Sequence, residues 1–172
     1  NTELFFKNIQ DLHSRSNDNS SNIAGQDFED FNAYALPNYV RNDIIKVWDS
    51  NDHKNIPAKV IKDIFGDDWD LVDKVFKGAS YGLDKVVQFN DATYGFISDK
   101  SVKWDKIKPE KIQGLLTLYA KLQKTVKEWI ICTNAKTVPA RIKGITKDII
   151  TFVLYEDYVP SNDIEKQKEK NF

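Results

Sequence analysis

The chain of 172 residues contains no methionine, one cysteine and two histidines. The single Cys132 excludes an internal disulfide and leaves no cysteine cluster for zinc; within "EWIICTNA" it reads as a small buried hydrophobe. The histidines, His13 and His53, both stand in polar segments and read as exposed, so nothing supports a Ser-His-Asp arrangement. Neither GxxxxGKS nor GxGxxG occurs, which leaves nucleotide-cofactor binding without a motif. No apolar run approaches the roughly 18 residues of a membrane span, and no leader pattern opens the chain. The missing initiator methionine points to one module of a longer polypeptide. The lone cysteine suits an intracellular setting, cytoplasmic in a prokaryote.

What is present is the material of a core. Hydrophobic residues make up 41% of the chain, with ten Phe, seven Tyr and four Trp, enough for one globular domain of ordinary size. The net charge of −1 is unevenly spread. From Ile97 to Lys147 twelve Lys or Arg face four Asp or Glu, a local +8 that leaves −9 for the rest. Such a stretch is either a polyanion-facing side, since phosphate contacts dominate nucleic-acid affinity, or a set of solvated helix faces.

Along the chain, "TELFFKNIQDLH" has helical spacing and "SRSNDNSSNIAGQ" reads as a polar loop. Residues 1–25 are thus expected to precede a main α/β domain at 26–160, with a tail at 161–172. "QDFEDFNAYALPNYV" predicts a helix with Phe28, Phe31 and Ala35 on one face, ending near Pro37. "RNDIIKVWDSND" fits helix or strand. "IPAKVIKDIFGDD" predicts a helix closed at Gly66, and the alternation in "WDLVDKVFKG" predicts an approach to a sheet. "GLDKVVQFNDATYGFISDKSVKW" reads as a hairpin with "NDATYG" as its turn. Ile112, Leu115, Leu116, Tyr119 and Leu122 form a helical stripe with Pro109 in its first turn. "EWIICTNA" and "DIITFVLYEDYV" predict buried strands, and "SNDIEKQKEKNF" a frayed helix. This order predicts an α/β fold, a central mixed β-sheet flanked by helices.

The hairpin carries chemistry. If its strands pair, Asp84 and Lys100 converge at one end of the sheet. A carboxylate with the backbone beside it suits Mg²⁺, a hard cation that prefers oxygen. A lysine nearby orients an attacking water and offsets phosphate charge, an arrangement fitted to phosphodiester hydrolysis. Against this, a turn-capping aspartate has the same sequence context as Asp84. Trp104, Tyr94 and Tyr119 have the make-up of base-stacking platforms, though core packing is the commoner fate of such residues.

Five strings follow one another from about Gln26 to Val159: "GQDFEDFNAYAL", "GASYGLDKVVQF", "YGFISDKSVKW", "KIQGLLTLYAKL" and "EWIICTNA". In that order they resemble the PD-(D/E)XK nuclease superfamily, with its restriction-endonuclease-like fold. Within it they resemble in particular the Mrr-like nuclease domains at the front of some large restriction and helicase proteins. The resemblance implies a metal-dependent DNA endonuclease using Mg²⁺ or Mn²⁺, with DNA as its partner. It casts Glu29 as the leading-helix glutamate, Asp84 as the metal-binding aspartate and Lys100 as the lysine of the (E/Q)-x-K motif. Gln113 falls where a glutamine is often found near the site.

One position departs from that pattern. Ser98 stands two before Lys100, where the family has Glu, Asp or Gln, and a serine is a poor ligand for Mg²⁺. Asp99 is next door, but successive side chains on a strand point to opposite faces unless a bulge intervenes. Three readings follow: ligation by Asp84, Glu29 and the Asp99 carbonyl; recruitment of Asp99 through local distortion; or a nuclease fold that keeps binding or scaffolding without catalysis.

Overall fold

Val86, Val87 and Phe89, then Tyr94, Phe96 and Ile97, and the apolar run Trp129, Ile130, Ile131 and Cys132 build the centre of a five-stranded sheet whose middle strands are buried almost throughout. A computed structural model of the protein describes residues 20–78, 81–102 and 107–158. The elements are α1 (Ser20–Ala35), β1 (Ile44–Asp49), α2 (Ala58–Phe65), α3 (Trp69–Lys77), β2 (Lys85–Phe89), β3 (Tyr94–Lys100), α4 (Gln113–Leu122), β4 (Glu128–Thr133), α5 (Ala140–Thr146) and β5 (Ile150–Leu154). The strands lie in chain order. β1, β2 and β3 pair antiparallel, and β3, β4 and β5 pair parallel. This is the mixed sheet flanked by helices that the sequence predicts.

Two apolar layers clamp the sheet. Helices α2, α3 and α4 cover one face, against Val86, Phe96, Trp129 and Ile131. Helix α1 covers the other, setting Phe28 and Phe31 over Val87, Ile97, Ile130 and the buried Cys132. Trp129 is 1% exposed, with the rings of Phe96 and Tyr119 edge-on to it at 5.0 and 5.6 Å. Each such contact adds about 0.5–1.5 kcal/mol to the burial itself. Gly66 closes α2 at φ +62°, as its position after the stripe predicts.

Several local expectations are corrected. "WDLVDKVFKG" is helix α3 and no approach to the sheet: Asp68 accepts the Leu71 N–H, and Leu71, Val72 and Val75 bury one helical face. Helix α1 begins at Ser20, so residues 20–25 of the expected loop are helical. It runs into a wide π turn, Leu36–Val40, that holds Pro37. "RNDIIKVWDSND" resolves into β1, and Pro109 starts a separate 3₁₀ turn ahead of α4. His53 is half-buried, stacked on Phe76 at 5.3 Å between ring centres. The first predicted helix, the tail and Trp104 lie outside the described residues. Among those described, no helix is long and apolar enough to cross a membrane.

Candidate active site

The segment just before β2 is sewn to strands on both sides. Ser50, at the end of β1, donates from Oγ to the Leu83 carbonyl at 2.8 Å and from its N–H to the Asp84 carbonyl at 2.9 Å. On the other side Asp84 N–H donates to Ile97 at 2.9 Å, and Ser98 Oγ donates to the Gly82 carbonyl at 2.7 Å. Gly82 has φ +66°, and a Cβ there would lie 3.2 Å from Lys100 Nζ and 3.7 Å from Ser98 Oγ. Glycine is therefore required twice, for its backbone angle and for the room it leaves the lysine.

This anchoring brings Asp84 to the carboxyl end of β3, the side of an α/β sheet where ligand sites collect. The Asp99 N–H donates to Asp84 Oδ2 at 2.6 Å. Glu29, on α1, comes within hydrogen-bonding reach of the same carboxyl. Burial, then repulsion from Asp84 and Asp99, pushes Glu29 up to about 8. Burial and the Asp99 charge raise Asp84 to about 6, against the Asp99 N–H and the Lys100 ammonium. Two carboxyls so placed repel each other when both are charged, and a proton or a cation would relieve that repulsion.

Asp99 lies on the face opposite Ser98 and Lys100, the face that α1 covers. Its register with β4 is unbroken through Lys100, so no bulge redirects it. Its carboxylate takes a buried ion pair from Lys85 and a hydrogen bond from Asn32 Nδ2 at 2.6 Å. The two charged side chains are 4% and 0% exposed. Burial works against the Lys85 charge, but the Asp99 carboxylate outweighs it and holds the ammonium above its ordinary value.

The structure brings Asp84 close to Glu29 on the α1 side and to Lys100 on the other face of β3, with no contact between Glu29 and Lys100 among the described residues. Asp99 stands on the α1 side, its carboxylate committed to Lys85 and Asn32 while its N–H holds Asp84. Ser98 acts as a strut to Gly82. Gln113 is exposed at the first position of α4, its side chain making no hydrogen bond among the described residues. Tyr94 is in the core with its hydroxyl donating to Asp63 at 2.8 Å, and Tyr119 packs on Trp129. Sequence reasoning missed Lys85 and Asn32. The signal for Lys85 was its place two before Val87 and four before Phe89, a charge on the buried face of a strand.

Among the described residues, no group of three or more His, Cys, Asp or Glu side chains is arranged to hold a metal ion. Glu29 and Asp84 supply two oxygen donors instead. Their mutual repulsion fits a hard cation that keeps several of its waters, as Mg²⁺ does, and not an all-protein cage. No family model, curated protein or solved structure matches the chain.

Proposed function

We propose that the domain is a Mg²⁺-dependent DNA endonuclease module with a restriction-endonuclease-like fold, one part of a larger intracellular protein. The observation that carries this reading is the approach of both Glu29 and Lys100 to Asp84 at the carboxyl end of β3. The succession of a helix, an antiparallel three-stranded unit, a crossover helix and a parallel strand supports it as well.

In this reading Asp84 and Glu29 hold the cation, which serves as Lewis acid and charge sink for the phosphate. The Asp99 N–H keeps Asp84 in place, and Lys100 orients the attacking water and offsets phosphate charge. Lys108, Lys121, Lys124, Lys127, Arg141, Lys143 and Lys147 are exposed and offer contacts to a polyanion backbone. Gln113, nearby in the family pattern, has in its exposed position a role in orienting phosphate.

A second reading rests on Ser98 and Asp99. With Ser98 tied to Gly82 and Asp99 to Lys85, a third carboxylate is missing from the site, which favours a module that binds DNA without cutting it. Incubation with plasmid and single-stranded DNA in Mg²⁺ or Mn²⁺, beside Asp84→Ala and Lys100→Ala, separates the two. Cleavage lost in both variants establishes the enzyme. Binding without cleavage, falling steeply with salt, establishes the module. Neither would sink both.

A further inference from the structure

Beside Asp84 lies a cavity of about 260 Å³, lined among others by Asn51, Phe76, Lys77, Leu83 and Asp84. At about 30 Å³ per water this is room for roughly eight or nine waters, as many heavy atoms as a pyrimidine base carries. The cavity shares Gly82 and Asp84 with the candidate active site, so an occupant lies next to whatever phosphate those groups address. We propose that it receives the base of an unpaired DNA nucleotide adjoining the scissile phosphate, which makes the domain selective for single-stranded or locally unpaired DNA. This rests on the nuclease reading and names its substrate class.

The lining has the parts such a base needs. Phe76 supplies an aromatic wall whose plane is held by His53, stacked at 5.3 Å and 11°, and by an edge contact to Phe65 at 5.7 Å. A fixed ring is a stacking platform that tolerates any base. Asn51 is exposed, and its side chain makes no hydrogen bond among the described residues, while its backbone N–H is satisfied by Asp49. Its amide is free to donate to and accept from a base edge. Lys77 is exposed, paired among the described residues with Asp73 across one helical turn at 3.2 Å, a surface contact that a phosphate readily displaces. Ser50 Oγ, also on the lining, is spent on the Leu83 carbonyl. A base paired within a duplex must leave its stack to enter, whereas an unpaired one is free to do so.

The test is fluorescence anisotropy of the full chain in EDTA, with a thymidine oligonucleotide, the same strand with abasic sites, and a duplex of equal length. The thymidine strand is expected to bind about ten-fold or more tightly than either alternative. Asn51→Ala and Phe76→Leu are expected to bring it down to the abasic level while leaving duplex binding unchanged. Thermal melts check folding; if Phe76→Leu melts early, the exposed Asn51 position carries the test. Equal affinity for thymidine and abasic strands would overturn the pocket. Plasmid cleavage that depends on Asp84 alongside that equality leaves the nuclease reading standing and the pocket refuted. Base-dependent binding with no cleavage does the reverse.

Discussion

Replacing Lys85 with methionine removes a charge from a place that water does not reach. The Asp99 carboxylate beside it is 0% exposed and keeps only the Asn32 hydrogen bond once the ammonium is gone. Losing one member of a buried ion pair typically costs about 3–5 kcal/mol, because the remaining charge is left uncompensated. For a domain of this size about 2–4 °C of melting temperature is lost per kcal/mol, so the midpoint is expected to fall by roughly 6–20 °C. The double variant Lys85→Met, Asp99→Leu removes both charges and keeps the volume. It is expected to recover part of the loss, since an apolar pair replaces a buried ionic one at little cost while the buried Asn32 Nδ2 loses its acceptor at about 1–3 kcal/mol. Urea or thermal melts of wild type, both single variants and the double close the cycle. A Lys85→Met midpoint within about 1 kcal/mol of wild type, or a double variant as unstable as the singles, would show that the pair is not the buried ionic unit described.

The remaining expectations concern the site and the core. Glu29 and Asp84 have folded-state values of about 8 and about 6 against ordinary values of 4.5 and 3.8. Their contribution to stability is therefore full below about pH 4 and lost as pH rises through about 6 and then about 8. In EDTA the melting temperature is expected to fall across that window, with Asp27, raised to about 7 chiefly by burial, adding the same slope. Mg²⁺ is expected to restore more stability at the alkaline end, and Glu29→Gln to weaken both effects; a flat or rising profile refutes the raised pair. Gly82→Ala forces a side chain to φ +66° and against Lys100 Nζ, at a cost of about 1–2 kcal/mol in a melt. If the nuclease reading holds, cleavage drops with it. Trp129→Ala empties a site that is 1% exposed between Phe96 and Tyr119, and denaturant melts should show a loss of about 3–5 kcal/mol.

Local pattern was enough for β2 to β5 and for α2 and α4, though not for β1, because a side chain's period along its own element needs no partner to be read. The same reasoning misjudged α3. Trp69, Leu71, Val75 and Val72 satisfy alternation and helical spacing at once, and only the neighbouring helices select which face is buried. Placing Asp84 and Lys100 at one end of a hairpin followed from strand order and turn position alone. Whether Asp99 turns to the side of Ser98 was open in the sequence, because a bulge would redirect it; the unbroken pairing of β3 with β4 decides that it does not. What the sequence had no means to show is how Asp99 is spent. Its partners are Lys85, 14 residues away, and Asn32, 67 residues away on another layer. A charge on a buried face declares that it needs a partner, but which groups meet there is settled by the register of strands and the seating of α1 across them. Periodicity within a segment carries no information about that distance.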